Sequence, residues 1–311
     1  MALETTVIGS FPERGNSREE KIKNAVDAQT DCGVKLISDG QPYSMTIPVA
    51  KAISGFKLLD ETGKYKIAGR IYPKHVDASE LKSYFDLLKK YCTIKNRQGI
   101  NVKPVFMMAG PLTMATTEID IGIYGEDNKT TTRNENLYMD IARAQVRLIN
   151  LIDPDNEAAA YHIDEPQLSQ PSPFDAVKPA LEYLASSIKA SYKKITVNLH
   201  VCGNVTKIFP KLLELENIDV LSHGFTGDEE KNNMDLIKTD CSAHNKQLGL
   251  GCINTASEEV ENLDDVVDLI TRAVKYQKND PVIHPDCGLR ALPYNVACDK
   301  LKVMCAAAEM F

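Results

Sequence analysis

Short runs of apolar and β-branched residues recur along the chain and alternate with stretches in which apolar residues have helical spacing. A short apolar run between turn residues is typical of a buried strand, whereas apolar residues three or four apart are typical of a helix. The predicted strands cover residues 5–10, 34–39, 102–110, 158–164, 195–203, 218–225, 246–254 and 281–287. The predicted helices cover about 17–33, 135–152, 174–191, 205–216, 232–244, 263–276 and 293–308. Ser17, with Glu20 three residues later, has the spacing of a capping box at the start of the first helix.

This order of elements predicts one α/β barrel. Strands that alternate with helices pair in parallel, and eight such units close a (β/α)₈ TIM barrel. Neither an internal repeat nor a linker divides the sequence, so residues 1–311 are interpreted as a single domain. A predicted hairpin and helix in residues 57–98 form a rim insertion between the second and third strands. The polar segment 116–134 is of a kind that often covers a site.

The ends of the predicted strands carry reactive side chains. Chemistry in such barrels takes place on the face where the strands end. His200 and Cys202 end one strand and point to the same side of it, and Cys287 ends the last strand. An imidazole and two thiolates are three of the four ligands of a tetrahedral zinc site, and three protein ligands beside an open position are typical of catalytic zinc. The alternative is a packing role, because a free cysteine behaves as a small buried hydrophobic residue.

Composition narrows the class of protein. The 311 residues are 43% hydrophobic and 25% charged, as in ordinary globular proteins. A net charge of −7 argues against nucleic acid or an anionic membrane as a partner. No apolar run reaches the length of a membrane helix, and no signal peptide is visible at the start. The eight cysteines are scattered as reduced thiols would be, which predicts a cytoplasmic location.

Six segments together resemble one known family. They are TTVIGSFP (5–12), ISDGQ (37–41), HIDEP (162–166), HVCGN (200–204), GCINT (251–255) and HPDCGLR (284–290). In this order they are similar to the catalytic domain of cobalamin-independent methionine synthases, and most of all to the short single-barrel archaeal type. The resemblance spans nearly the whole chain.

The resemblance implies a zinc-dependent methyltransferase in methionine biosynthesis, acting on the thiol of homocysteine. It implies that His200, Cys202 and Cys287 are metal ligands and catalytic residues. Ser10 and Ile8 match positions that contact the carboxylate and backbone of homocysteine, and Asp164 matches the group that binds its amine. The full set of expected substrate-binding residues is Ile8, Ser10, Gln41, Asp164, Glu165 and Asn254.

The chain departs from the family pattern in two places, which affect the metal site and the identity of the methyl acceptor. The family's glutamate ligand lies in a D-H-E-F-like stretch, where this chain has Ser222-His223-Gly224-Phe225, and Gly224 has no side chain to ligate. The fourth metal ligand is then His223, a water or a residue from another loop, or else the metal site is weakened. His223 is equally well interpreted as a hydrogen-bonded loop residue that does not bind metal. Residues 42–45, PYSM, replace a charged stretch, which leaves coenzyme M as an alternative acceptor.

The methyl donor is expected to be a methylated corrinoid, carried by a corrinoid protein, rather than a folate. Ala256 stands where the large folate-using enzymes of the family have a histidine, and the chain lacks their additional barrel. A cobalt leaving group needs no proton, so this histidine is dispensable. A further alternative is a catalytically impaired paralogue that only binds the corrinoid protein.

Overall fold

The main sheet consists of seven parallel strands. The structure is a computed structural model that describes residues 2–59, 64–120, 122–124, 134–171, 173–192, 194–228 and 230–311. The strands are β1 (Leu36–Ile37), β4 (Lys103–Ala109), β6 (Ala160–Asp164), β7 (Thr196–His200), β8 (Val220–Gly224), β9 (Gln247–Gly251) and β10 (Val282–His284). They pair in that order, each parallel to the next, from β1 to β10.

Thr5 and Thr6 join the two outer strands of this sheet. Thr5 forms a parallel bridge with Ile283 on β10, and Thr6 forms one with Leu36 on β1. The amide of Thr6 donates to the Ile283 carbonyl at 2.9 Å, and the amide of Leu36 donates to the Thr5 carbonyl at 2.9 Å. The predicted first strand is thus reduced to two bridges, because the chain turns at Gly9, whose φ is 59°. These bridges occupy the eighth position, and the predicted barrel is confirmed.

Helices surround the sheet largely where the sequence predicts them. They are α1 (Arg18–Asp31), α2 (Ile47–Ala52), α3 (Ser79–Arg97), α4 (Pro111–Ala115), α5 (Glu135–Ile152), α6 (Phe174–Ser191), α7 (Phe209–Leu213), α8 (Leu263–Tyr276) and α9 (Tyr294–Ala308). The capping box is confirmed: the Ser17 hydroxyl accepts from the Glu20 amide, and the Glu20 carboxylate accepts from the Ser17 amide.

Two helix predictions are wrong in length or type. The helix predicted over 205–216 shortens to α7, and the segment predicted as an α-helix over 232–244 forms two 3₁₀ helices, Glu230–Lys238 and Cys241–His244. The buried Asn233 provides the physical reason, because its side chain accepts from the Val205 amide and donates to the carbonyls of Gly203 and Gly224. Because the side-chain amide of Asn233 binds three backbone groups, it holds this segment against the strand ends.

The rim insertion has the predicted form. Strands β2 (Phe56–Leu58) and β3 (Tyr65–Ile67) make an antiparallel hairpin before α3, and β5 (Glu118–Ile119) adds a parallel third strand. Residues 60–63, which connect β2 to β3 in the sequence, lie outside the described residues. Most of the polar segment that was expected to cover the site, residues 121 and 125–133, also lies outside them. Within the described ranges, no helix is long and apolar enough to cross a membrane.

Candidate metal and thiol site

The imidazole and the two thiols expected to bind metal converge at the strand ends. His200 is the last residue of β7, Cys202 follows it, and Cys287 lies in the turn after β10. The Cys202 sulfur is 3.2 Å from His200 Nε2 and 3.5 Å from Cys287 Sγ, and all three donor atoms lie within 4.8 Å of one another. The ligand atoms of a tetrahedral zinc site are separated by roughly 3.6 Å. The donor set and its spacing therefore fit zinc.

The charges in this group also favour a cation. A hydrogen bond with Cys202, followed by contact with His200, lowers the pKa of Cys287 well below that of an ordinary thiol, although burial opposes the shift. Burial acts to lower the pKa of His200, but the hydrogen bond and charge of Cys287 raise it overall. By contrast, burial raises the pKa of Cys241 to about 12. The Cys287 thiol is thus prepared as an anionic metal donor.

A cavity of about 480 Å³ opens over these three side chains. Its walls come from the loops after several strands, as expected at the C-terminal face of a barrel. The lining residues are Ile8, Gly9, Ser10, Gln41, Ser44, Met45, Asp164, Pro166, His200, Cys202, Cys287, Gly288, Arg290 and Ala291. The structure therefore brings four of the six expected substrate-binding residues to the metal donors: Ile8, Ser10, Gln41 and Asp164.

Asp164 provides the one buried carboxyl on this wall. It ends β6 and is 5% exposed, and its Oδ1 atom has no hydrogen-bond partner among the described residues. Burial raises the pKa of Asp164 to about 7, although the charge of His200 opposes the shift. A cationic group of a ligand would both pair with the carboxylate and offset this cost of burial.

Glu165 does not line the cavity. Consecutive residues of an extended chain point to opposite sides, so Asp164 faces inward and Glu165 faces away. Its Oε1 accepts from the Leu112 amide at 2.8 Å, and its Oε2 accepts from the Thr113 amide at 2.8 Å and the Thr113 hydroxyl at 2.6 Å. Burial raises the pKa of Glu165 to about 7 against these three donors. These hydrogen bonds fix the start of α4.

Asn254 is likewise engaged away from the cavity. Its side-chain oxygen accepts from the Ala256 amide at 2.9 Å, and its own amide donates to the Glu261 carboxylate at 2.9 Å. These bonds form a turn within the loop after β9. Asn254 is not among the cavity's lining residues.

His223 lies outside the group of metal donors. It follows Ser222 on β8 and therefore points to the opposite side of the sheet. Its Nδ1 is 3.1 Å from the Val201 carbonyl, and its ring packs edge-on against Phe209 with centroids 5.6 Å apart. Burial lowers the pKa of His223 to about 3, so the ring is neutral. The structure favours the interpretation of His223 as a hydrogen-bonded packing residue.

Sequence reasoning missed several lining residues. Arg290 donates to the carbonyls of Gln41 and Tyr43 and so ties the loop after β1 to the loop after β10. Gln41 itself has a φ of 41°, an unusual value for a residue with a side chain. The signal for Arg290 was its place in the segment 284–290, and the signal for Met45 was its place in the segment 42–45.

Residues 13–310 match the family model described as the catalytic domain of cobalamin-independent synthase. The methionine synthase of Methanocaldococcus jannaschii is 28% identical, and the alignment covers 98% of this chain and 98% of the relative. The methionine synthase of Methanothermobacter thermautotrophicus is 30% identical over 98% of this chain and 99% of the relative.

Solved structures share the fold. A B12-independent methionine synthase from a Shewanella species, in complex with selenomethionine, superposes with a TM-score of 0.77 at 19% identity, covering 100% of this chain and 98% of that one. A methyltransferase from Methanosarcina mazei superposes with a TM-score of 0.64 at 19% identity, covering 100% of this chain and 94% of that one. At these identities the likeness concerns the barrel alone.

Proposed function

The chain belongs to the family of cobalamin-independent methionine synthases, and on that premise we propose that it methylates homocysteine to methionine at zinc held by His200, Cys202 and Cys287. It is a methyltransferase that acts on a thiol. The observation that carries the more specific proposal is the cavity itself, in which three soft-metal donors lie beside a buried carboxyl without a partner among the described residues.

The metal site supplies three protein donors, and the sulfur of the substrate is suited to be the fourth. Zinc, when bound, favours the thiolate over the thiol and so makes the sulfur a good nucleophile. With Gly224 at the end of β8, no side chain from that position competes for the open coordination site. Three ligands and an open position suit a metal that must accept a substrate.

The remaining cavity residues orient the substrate. Asp164 Oδ1 would accept a hydrogen bond from the ammonium group of an amino acid thiol, and the costly burial of this carboxyl supports that role. Ser10 and the backbone at Ile8 lie on the same wall and are suited to the carboxylate. Gln41 supplies a further polar group, held in place by Arg290. Coenzyme M has no ammonium group and would leave Asp164 unpaired.

The proposed donor is a methylated corrinoid on a partner protein. Ala256 offers no proton donor, and a cobalt leaving group requires none. The cavity holds about 480 Å³, enough for the thiol substrate, so a corrin ring has to approach from the open side. Transfer then breaks the cobalt–carbon bond, leaves that electron pair on cobalt and forms a sulfur–carbon bond.

The test compares acceptors and donors in the zinc-loaded enzyme. Methyl transfer from methylcobalamin to homocysteine should proceed. It should be much slower when coenzyme M replaces homocysteine as the acceptor, and much slower when a methylated folate replaces methylcobalamin as the donor. Asp164→Asn should raise the KM for homocysteine by roughly 10-fold or more, because one charge-assisted hydrogen bond is weakened. The same variant should leave the KM for 3-mercaptopropionate, which lacks an ammonium group, nearly unchanged. Equal effects on both thiols would contradict the assigned role of Asp164.

Gly224, at the position of the family's acidic ligand, supports a second candidate function. In this function the barrel binds a corrinoid protein but catalyses no methyl transfer. The two functions differ in metal content. A folded, metal-free protein that still binds a corrinoid protein would favour the second candidate, and one zinc per chain with turnover excludes it.

A further inference from the structure

The interior of the barrel beneath the cavity is polar. TIM barrels usually fill this space with layers of branched apolar side chains. Here the inward positions of four strands carry His162 on β6, Asn198 on β7, Ser222 on β8 and His284 on β10, none of them more than 2% exposed. The strand register places His162 beside Asn198 and His200 beside Ser222. These four side chains, called the interior cluster below, therefore lie directly behind the candidate metal ligand His200.

Each member of the interior cluster presents a buried polar atom with no partner among the described residues. These atoms are His162 Nδ1, Asn198 Oδ1, Ser222 Oγ and His284 Nε2, and His200 Nδ1 is in the same condition. A buried polar atom without a hydrogen bond costs about 1–3 kcal/mol. Five such atoms on facing positions of one barrel would be a heavy burden on a domain of ordinary stability. Their grouping indicates a shared ligand.

Gly249 on β9 lets the Ser222 hydroxyl and the His284 ring approach the same point, because it has no side chain. A Cβ atom at this position would overlap Ser222 Oγ and would lie 2.9 Å from His284 Nε2. The two orphaned atoms thus border the same point, next to the missing side chain. The rings of His200 and His284 meet edge to face with centroids 6.2 Å apart, which continues the polar surface up to the metal site.

The chemistry of these walls selects water. The interior cluster consists of two imidazole rings, one amide and one hydroxyl, with no carboxylate among them. A neutral imidazole nitrogen either donates or accepts, an amide oxygen accepts, and a hydroxyl does both. This mixture does not match a cation or an anion, whereas a water molecule makes two to four bonds of either kind.

We propose that ordered water fills the barrel interior at the interior cluster and accepts a hydrogen bond from His200 Nδ1, so that Nε2 remains free to bind metal. A metal-binding histidine generally donates its second N–H to a fixed acceptor, which sets the tautomer and the ring orientation. The His200 ring finds no such acceptor among the described protein atoms, and water held by the interior cluster supplies it. Ser222 and Asn198 are then positioning residues for the metal site. This last step rests on the proposed function.

The first test begins with the metal-free protein and continues with the zinc-loaded one. A high-resolution crystal structure of the metal-free protein should show ordered water within hydrogen-bond distance of both His200 Nδ1 and Ser222 Oγ. Nitrogen-15 spectra of the imidazole groups should show His200 protonated at Nδ1 when zinc is bound. An empty interior, or a direct protein acceptor on His200 Nδ1, would overturn the proposal.

The second test measures zinc affinity by competition with a chelator in two variants that each lose one buried hydroxyl. Ser222→Ala removes a hydroxyl that faces the interior, and zinc affinity should fall by roughly 10-fold. Tyr161→Phe is the matched control, because its hydroxyl contacts Tyr192 on the outer side of the barrel wall; its zinc affinity should not change. Equal affinities in the two variants would refute the positioning role. Absence of zinc binding in the unmodified protein would instead refute the proposed function, while the metal-free structure still decides whether water is present.

Discussion

Replacing Glu165 with alanine tests whether this residue supports the barrel or meets the substrate. The carboxylate is fully buried and accepts three hydrogen bonds at the start of α4, two from backbone amides and one from the Thr113 hydroxyl. In the alanine variant these three donors have no acceptor. Because water reaches them only by opening the structure, each costs about 1–3 kcal/mol.

The size of the effect should depend on pH. Burial raises the pKa of Glu165 from 4.5 to about 7 in the folded protein. A raised carboxyl pKa favours the folded state fully below the unfolded value, and that contribution is lost as the pH rises through the folded value. The shift corresponds to roughly 3 kcal/mol. We therefore expect Glu165→Ala to lower the free energy of unfolding by roughly 4 kcal/mol near pH 5 and by much less near pH 8.

Urea unfolding followed by circular dichroism at the two pH values measures this difference. Glu157→Ala is the control, because Glu157 forms an exposed ion pair with Lys89 and its loss should cost no more than about 1 kcal/mol. Zinc affinity should change little in Glu165→Ala, since the residue does not line the cavity. A variant with normal stability at both pH values and a raised KM for the thiol would refute the assignment and restore Glu165 as a substrate ligand.

Three further predictions follow from other contacts. Cys287→Ser should lower zinc affinity by at least about 100-fold, whereas Cys252→Ser, at a buried thiol outside the metal donors, should retain it; similar affinities would contradict the ligand set. In the metal-free protein, the lowered pKa of Cys287 should keep its alkylation rate by iodoacetamide nearly constant between about pH 6 and about pH 8, and a steep rise with pH would show an ordinary thiol. Lys300→Met should destabilise the protein by roughly 3 kcal/mol in urea unfolding, because it leaves the Glu261 carboxylate without its buried cation, and an unchanged midpoint would count against this pair.

The sequence predicted the barrel because its signals are local and repeated. Apolar runs between amphipathic helices appear in order, and the capping box at Ser17 marks a helix start without reference to the rest of the chain. The 3₁₀ segment after β8 was not predictable in this way. Its geometry depends on Asn233 reaching the carbonyls of Gly203 and Gly224, a contact between residues 9 to 30 positions apart.

The candidate site likewise has features that the sequence could predict and features that it could not. His200, Cys202 and Cys287 lie at or just after strand ends, so their convergence could be expected once the barrel was inferred. The alternation of side chains along a strand separates Asp164, which lines the cavity, from Glu165, which does not, and the prediction from the sequence did not apply it to this pair. Arg290 acts through two carbonyls of another loop, and no spacing along the chain reveals such a contact.

The central claim is that His200, Cys202 and Cys287 bind one zinc ion that then takes the thiol of the substrate. Zinc content with X-ray absorption at the zinc edge, measured with and without homocysteine, tests it directly. The account predicts one zinc per chain with one nitrogen and two sulfur ligands from the protein, and a third sulfur when homocysteine is added. A folded protein that binds no zinc, or a zinc whose sulfur ligands do not increase with homocysteine, would contradict it.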